Sequence, residues 1–197
     1  MTDLKLLKRW IAAKLSIEWI KLVLMEEAYI VGGAVRDIFM GLTPNDFDLV
    51  TTASLDDLKQ LFPYDSHGKE EWGVHAFRFP GGPSIEIRSA QGKSIEDDAL
   101  NRDFTINAIY LDPTVPPGKG IRDPQNGIMD IQDKILRCCG GSAIKTFDAD
   151  PIRVYRAKRF IKKFGLVPDF DLDWYVKLFG NCCNPMAVKQ EQLKMGA

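Results

Sequence analysis

Apolar residues recur at helical spacing at the start of the chain. Six of them follow one another at intervals of three or four positions: Leu4, Leu7, Ile11, Leu15, Trp19 and Leu22. Lysines and glutamates lie between them, so the pattern predicts one amphipathic helix over residues 4–26. We expect its apolar face, together with Trp10, to pack in the core of the protein.

Short apolar and alternating runs follow this helix. Residues 28–31 predict a strand that is broken at Gly32 and Gly33, and residues 34–40 then predict a short helix closed by Gly41. The further predicted elements are a strand at 46–52, a helix from the capping Ser54 to Leu61, a hairpin of strands at 73–79 and 84–89, a capped helix opening at Ser94, a strand at 107–111, a helical or turn segment at 130–136, and helices at 150–163 and 171–178.

This order of elements predicts an α+β fold, because helices and strands interleave irregularly and the hairpin implies a mixed sheet. The chain has 197 residues, of which 45% are hydrophobic and 27% charged. That is enough for one packed core with room for a small second lobe. No run is apolar enough to span a bilayer and the N-terminus does not resemble a signal peptide, so we expect a soluble cytoplasmic protein.

Charge is unevenly distributed, although the net charge is only −1. The segment 153–163 contains basic residues and no acidic one: Arg153, Arg156, Lys158, Arg159, Lys162 and Lys163. Two interpretations stay open for it, a solvated helix face or a surface that binds phosphates.

The cysteines and histidines suggest little chemistry. The four cysteines form the vicinal pairs 138–139 and 182–183, and this spacing favours ordinary buried or free thiols over a zinc site. His75 lies within a predicted strand, so we expect a structural role for it. His67 lies in a polar loop, and the sequence offers no partner that would suggest a catalytic triad.

The break at Gly32 and Gly33 is the first candidate for chemistry. A strand that enters a helix through two glycines exposes backbone N–H groups, and the missing Cβ atoms allow a phosphate to approach closely. Arg36, one turn into the helix, could add a bidentate phosphate contact. Taken alone, a double glycine is more often a tight turn than a phosphate site.

A pair of carboxylates follows at Asp46 and Asp48. Side chains two apart on a strand point to the same face, where two carboxylates repel each other unless they share a cation. Mg²⁺ prefers one or two carboxylates together with substrate phosphates. The alternative is a pair of exposed acids near the turn at Pro44.

Several segments in this order resemble the class II tRNA CCA-adding enzymes and bacterial poly(A) polymerases, within the DNA polymerase beta-like nucleotidyltransferases. The resemblance covers about residues 25–165. The matching segments are 29–37 (YIVGGAVRD) with 45–48 (NDFD), 101–108 (NRDFTINA), 123–127 (DPQNG) with Asp130, and 150–153 (DPIR) with Arg156, Arg159 and Phe160.

The resemblance implies a polymerase beta-like head at residues 1–140, with a mixed, largely antiparallel sheet flanked by helices, and a partial helical neck and tail at 141–197. It implies that Asp46 and Asp48 bind two Mg²⁺ ions during catalysis. Glu86, central in its strand, is our candidate for a third carboxylate that helps to deprotonate the acceptor hydroxyl, although it could equally be an outward strand residue. The implied nucleotide-binding residues are Gly32, Gly33, Arg36, Asp37, Arg102, Asp103, Asn107, Asp150, Arg153, Arg156 and Arg159. Within this set, Asp150 and Arg153 are expected to read the base.

The expected activity is addition of CMP and/or AMP from CTP or ATP to the 3′ end of a tRNA-like RNA. Ala149 and Asn101 stand where the family usually has Glu and Arg, and the stretch between Glu86 and Arg102 is short. These departures leave open which nucleotides are added. The sequence does not include the helical body and tail of the family, so we expect an oligomer, a partner or the basic segment 153–163 to hold the RNA, unless the chain is a truncated form. Transfer to a non-RNA acceptor and a non-catalytic nucleotide- or RNA-binding role are the alternatives.

Overall fold

The computed structural model describes residues 4–63, 74–78 and 84–179. The helices are α1 (Leu4–Trp19), α2 (Gly33–Phe39), α3 (Leu55–Leu61), α4 (Ile95–Asn101), α5 (Gly127–Gln132), α6 (Ala143–Ala149), α7 (Arg153–Phe164) and α8 (Phe170–Phe179). The strands are β1 (Ala28–Val31), β2 (Asp48–Thr51), β3 (Val74–Arg78), β4 (Ser84–Ser89), β5 (Tyr110–Leu111), β6 (Ile121–Arg122), β7 (Ile135–Leu136) and β8 (Val167–Pro168).

A six-stranded sheet in the order β3-β4-β2-β1-β5-β6 organises the first part of the molecule. Only the β2–β4 pair in this sheet is parallel, and the other four pairs are antiparallel. The predicted mixed, largely antiparallel sheet is therefore confirmed, and so is the hairpin pairing of β3 with β4. The loop of that hairpin, at 79–83, lies outside the described residues.

The two faces of this sheet have different neighbours because successive side chains on a strand point to opposite sides. One face presents Ile30, Leu49 and Ile87 to a core shared with α1, α2 and α3. The other face presents Val31 and Val50 to a core shared with α4 and β5. The charged residues Asp48, Glu86 and Arg88 alternate with the first set along their strands, so they belong to the second face.

A further core joins the sheet region to α6, α7 and α8. Phe104 lies 5.7 Å from Phe160 in an edge-to-face arrangement, and Phe147 packs on Tyr175 at 4.7 Å between ring centroids. Phe104 and Phe147 belong to one buried cluster although they lie on either side of residue 140. The division into head and neck at residue 140 stays a prediction.

The orientation predicted for the first helix is wrong. The six apolar residues that define its pattern are between 43% and 75% exposed, whereas Ala12, Ala13, Ser16, Ile17 and Ile20 are buried. Helix α1 has two apolar faces, and the face with small residues packs closely on the sheet. Trp10 does pack as predicted, at 5.4 Å from the ring of Phe47.

Several boundaries also differ from the predictions. The α-helix ends at Trp19 and continues as a π-helical turn over Ile20–Leu24. The predicted strand 46–52 is shorter, so Asp46 precedes β2. Helix α7 begins at Arg153 rather than at Asp150, whose backbone is extended, and α6 was not predicted. None of the helices within the described ranges is long and apolar enough to cross a membrane.

Candidate active site

A cavity of about 1080 Å³ opens between one end of the sheet and helix α7. Most of the predicted site residues line it, and they are Gly32, Gly33, Arg36, Asp48, Glu86, Arg102, Asp103, Asn107, Arg153, Arg156 and Arg159. The other three predicted residues, Asp37, Asp46 and Asp150, are not in its lining. The fold thus gathers residues that are more than a hundred positions apart into one site.

The turn at Gly32 lies between the guanidinium of Arg102 and the carboxylate of Asp48. Gly32 has φ of 78°, in the left-handed region that favours glycine, and it precedes the first residue of α2. A Cβ atom at this position would lie 3.9 Å from Arg102 Nη1 and 3.9 Å from Asp48 Oδ2. The bare backbone therefore leaves room for a group that contacts both side chains.

Asp48 and Glu86 are direct neighbours on the parallel strands β2 and β4. Both are exposed on the same sheet face, in the cavity wall. The protein atoms around the cavity partly desolvate Asp48, and this desolvation, with the negative charges of Asp46 and Glu86, raises its pKa, while Arg102 and Arg88 lower it to a lesser extent. A bound cation would relieve this repulsion.

Asp46 approaches the same region from the loop before β2. Its side chain is largely exposed, accepts a hydrogen bond from Phe47 N at 3.0 Å, and lies 3.9 Å from Arg9 Nη1. The prediction that Asp46 and Asp48 share one strand face is wrong, because only Asp48 lies in the strand. Asp46 still acts on Asp48 through its charge.

The carboxylates fit a magnesium ion by donor chemistry. All three supply oxygen, the ligand that Mg²⁺ prefers, and Mg²⁺ usually completes its coordination with water and substrate phosphates. Within the described ranges, no three Asp, Glu, His or Cys side chains are grouped closely enough to form a complete protein metal site.

Arg102 is held by an aspartate that the sequence analysis missed. Nε and Nη2 of Arg102 each lie 2.8 Å from Oδ2 of Asp98, which is fully buried. Asp98 also accepts hydrogen bonds from Arg88 Nη2 at 2.9 Å and from Tyr110 Oη at 2.8 Å. The spacing of Asp98 and Arg102, four residues apart on a predicted helix, was the signal that could have revealed the pair.

A second polar network connects α2, the turn Thr105–Asn107 and α7. Asn107 donates to Asp103 at 3.1 Å and accepts from Arg36 Nη1 at 2.8 Å, and Arg156 Nη2 lies 2.8 Å from Asp103 Oδ2. Asp103 and Asn107 are therefore fixed by protein contacts while they line the cavity.

Arg36 is more enclosed than its predicted phosphate contact suggests. It is 8% exposed, and its Nε and Nη2 donate to Asp37 Oδ1 at 3.0 and 2.7 Å. Its guanidinium carbon also lies 5.0 and 4.8 Å from the ring centres of Phe160 and Phe164. These contacts indicate a positioning role for Arg36, and a direct phosphate contact stays a prediction.

The segment 123–130 holds in place the turn Thr105–Asn107, which carries the site residue Asn107. The carboxylate of Asp123 accepts from the backbone N–H groups of Gly127 and Ile128 at 2.7 and 2.9 Å, which caps α5. Asp130 accepts from Thr105 Oγ1 at 2.6 Å. Helix α5 thereby fixes the turn that carries Asn107.

The predicted base-reading residues Asp150 and Arg153 are held by different backbone groups. Asp150 Oδ1 accepts from Ile152 N at 3.0 Å, whereas Arg153 Nη2 donates to the carbonyl oxygen of Asn101 at 2.9 Å. Only Arg153 is in the cavity wall. Reading of a base by the pair stays a prediction.

Helix α7 makes one wall of the cavity basic. Besides Arg153, Arg156 and Arg159, the lining includes Lys158, Lys162 and Lys163. The open question about the 153–163 segment is answered in part, because these side chains border the cavity as well as solvent. The positive wall faces the wall of Asp48 and Glu86, a distribution suited to a triphosphate with a metal ion.

The cysteines at 138 and 139 are buried and free. Burial raises the pKa of the Cys138 thiol to about 12 and raises the pKa of Cys139 further. The expectation of ordinary buried thiols is confirmed for this pair, and Cys182 and Cys183 lie outside the described residues.

The sheet and the arrangement of the cavity define the class of the protein, a nucleotidyltransferase head. The family of the poly(A) polymerase head domain matches residues 28–87 and 74–137, and the chain belongs to this family. This confirms the resemblance inferred from the sequence.

Curated relatives of known activity agree with the family. The chain is 39% identical over 142 residues to the CC-adding tRNA nucleotidyltransferase of Halalkalibacterium halodurans, a match that covers 71% of this chain and 35% of the relative. It is 33% identical over 165 residues to poly(A) polymerase I of Salmonella typhimurium, again covering 71% and 35%. The chain therefore spans about a third of the length of these relatives.

A solved structure shares the fold. The CCA-adding enzyme of Bacillus stearothermophilus in complex with CTP matches with a TM-score of 0.76 and 30% sequence identity. The match covers 85% of this chain and 42% of that enzyme. The predicted α+β head fold is thereby confirmed.

Proposed function

We propose that this chain carries the catalytic site of a cytoplasmic RNA 3′-terminal nucleotidyltransferase. It adds CMP and/or AMP from CTP or ATP to a tRNA-like acceptor and releases pyrophosphate. The observation that carries the proposal is the pairing of Asp48 with Glu86 opposite the basic wall formed by α7. The relatives with tRNA and poly(A) activity support the choice of RNA as acceptor.

The acidic wall and the basic wall of the cavity have different roles in the proposed reaction. Asp46 and Asp48 would hold Mg²⁺, which supplies charge stabilisation for the attacking oxygen and the leaving pyrophosphate. The bare backbone at Gly32 admits the phosphates, and Arg102, Arg156 and the lysines of α7 balance their negative charge.

In the reaction, the 3′ oxygen of the acceptor forms a bond to the α-phosphorus of the nucleotide, and the bond between the α-phosphorus and the bridging oxygen breaks. Pyrophosphate leaves with the electron pair of that bond. We assign the proton of the 3′ hydroxyl to Glu86, which is exposed in the cavity beside Asp48.

Arg153 is our candidate for contact with the base edge, because its side chain is in the cavity wall. Asp150 would be its accepting partner. Since Ile152 N already engages Oδ1 of Asp150, we assign the accepting role to Oδ2. Further contacts to the RNA are assigned to another copy of the chain or to a partner protein.

The test is an extension assay with four separately labelled nucleoside triphosphates, Mg²⁺, and tRNA transcripts that end at the discriminator base, at C or at CC. We expect extension with CTP, ATP or both, and a loss of at least about a hundredfold in rate for Asp48→Asn. Asp56→Asn, which removes an exposed carboxylate from α3, is the matched control and should retain the activity.

Equal extension by Asp48→Asn and the wild type would contradict the assigned metal ligands. Label that becomes attached to protein in RNA-free reactions would instead identify a non-RNA acceptor. Binding of CTP or ATP without turnover on any acceptor would identify a non-catalytic homologue.

A further inference from the structure

Helix α1 and the π-helical turn Ile20–Leu24 that continues it present an apolar stripe to solvent. The stripe consists of Leu4, Leu7, Ile11, Leu15, Trp19 and Leu22, each between 43% and 75% exposed. The opposite side of the same helix is buried in the core through Ala13 and Ile17. A helix with apolar residues on two opposite faces is expected to be covered on both, because an extended exposed apolar patch marks an interaction surface.

The spacing of the stripe is the same in both directions along the helix. The intervals between its members are three, four, four, four and three residues, centred on Ala13. A second, antiparallel copy of α1 would therefore place Ile11 against Leu15 and Leu7 against Trp19, with Leu4 opposite Leu22 in the π-helical turn. Such a self-complementary patch is what a two-fold symmetric dimer requires. We propose that the stripe is the interface of a homodimer in which two α1 helices pack antiparallel.

The charges beside the stripe favour the same arrangement. Antiparallel packing centred on Ala13 brings Lys8 of one copy level with Glu18 of the other, because these two positions are also symmetric about residue 13. Parallel packing would bring Lys8 level with Lys8, and like charges at one level repel. The same alignment brings Lys5 level with Lys21, whose charge is balanced by Asp112 of its own chain at 2.5 Å. Glu18 also lies 4.0 Å from Lys14 of its own chain, so it can contact lysines of both copies.

The dimer leaves both cavities accessible. Helix α1 packs on the sheet face of Ile30, Leu49 and Ile87, whereas Asp48 and Glu86 belong to the other face. Each copy therefore presents its basic cavity wall away from the interface. A single pair of helices is at the small end of specific interfaces, which is about 1,000 Å² in total, so the dimer forms in a concentration-dependent way.

Trp19 contributes an anchor that is already ordered in the monomer. Its ring stacks on Phe62 at 6.3 Å between centroids, with 10° between the ring planes. Trp19 nevertheless remains 48% exposed. An aromatic side chain held in place in this way loses little conformational entropy on association.

Sedimentation velocity of the full chain over a hundredfold range of concentration tests the proposal. We expect the wild type to pass from monomer to dimer, and Ile11→Glu or Leu15→Glu to raise the dissociation constant at least about tenfold. Met129→Glu changes an exposed apolar residue on α5, outside the stripe, and should leave association unchanged. Circular dichroism confirms that each variant is folded.

A charge exchange tests the antiparallel alignment without altering the apolar residues. Lys8→Glu and Glu18→Lys should each weaken the dimer, and the two changes together should restore it. A wild type that stays monomeric over the whole range would overturn the dimer, and failure of the double variant to recover would overturn the alignment. A monomer that cosediments with phosphatidylglycerol vesicles would assign the stripe to an anionic lipid surface instead.

Discussion

Two nitrogens of Arg102 lie 2.8 Å from one carboxylate oxygen of Asp98, and this contact aims the remaining nitrogen, Nη1, at the turn of Gly32. Asp98 is completely buried and is also bound by Arg88, Tyr110 and the backbone of Gln91. The orientation of the Arg102 guanidinium in the cavity thus depends on the carboxylate of Asp98, which does not line the cavity.

Replacing Asp98 by Asn should destabilise the protein strongly. The change leaves the half-buried arginines Arg88 and Arg102 without the buried carboxylate that balances their charge, and breaking such an ion pair from one side costs about 3 kcal/mol. We expect this loss in the free energy of unfolding from urea denaturation at neutral pH. Asp56→Asn, on the surface of α3, should change it by less than about 0.5 kcal/mol, and similar losses in both variants would contradict the role of Asp98.

Stability in acid should depend on the same residue. Burial alone raises the pKa of Asp98, but Arg102, Arg88 and the hydrogen bonds to its carboxylate outweigh burial and place the pKa below its usual value. The unfolded chain therefore takes up the proton at a higher pH than the folded chain. The stabilisation is present above about pH 4, the ordinary pKa of aspartate, and is lost as the pH falls through the lower folded value.

Asp98→Asn removes this contribution, so its free energy of unfolding should fall less steeply below about pH 4 than that of the wild type. Urea titrations at several acidic pH values measure both slopes. Parallel curves for the two proteins would show that Asp98 does not titrate in this range.

Arg36→Lys tests whether Arg36 is mainly a positioning residue. Lysine keeps the charge but loses the planar contact with Phe160 and Phe164 and the simultaneous bonds to Asp37 and Asn107. We expect a loss of roughly 2 kcal/mol in unfolding free energy. Arg122→Lys, at an exposed ion pair with Glu27, is the control and should cost little.

The response of Arg36→Lys to nucleotide separates its two possible roles. A positioning residue leaves the rise in Tm caused by CTP largely intact once the lower starting stability is taken into account. A variant of unchanged stability that no longer responds to CTP would show that Arg36 acts by direct phosphate contact.

Gly127 should tolerate no larger residue. A Cβ atom there would lie 2.1 Å from the carbonyl oxygen of Thr105, so Gly127→Ala must displace α5 from the turn that carries Asn107. We expect a cost of about 3 kcal/mol in the free energy of unfolding. At Gly41, with φ of 71° and nothing within 4 Å, alanine should cost only about 1 kcal/mol through backbone strain. Equal losses at both positions would contradict the close packing at Gly127.

Local features of this protein could be predicted from the sequence because they depend on neighbouring residues. Ser54 and Ser94 cap their helices through the backbone N–H groups three residues on, as predicted. Gly32 breaks its strand at a positive φ, as the double glycine indicated. The ordered motifs also identified the family, which the family match confirms.

Other features depended on distant parts of the chain. Asp48 and Glu86 are neighbours only because β2 and β4 pair in parallel, and the alternation within each strand does not specify the partner strand. The burial of Arg36 likewise depends on Phe160 and Phe164, which arrive from α7. Its predicted phosphate contact took account of α2 alone.

Helix α1 shows most clearly what the sequence determines and what depends on the tertiary structure. The sequence by itself determined that residues 4–19 form a helix, since helical periodicity is a local property, and it determined the carboxylates and glycines of the site. It did not determine which face of the helix is buried, because both faces carry apolar residues. Only the tertiary structure decided this, since the small residues Ala12 and Ala13 let the backbone approach the sheet, and the larger residues of the stripe were left facing solvent.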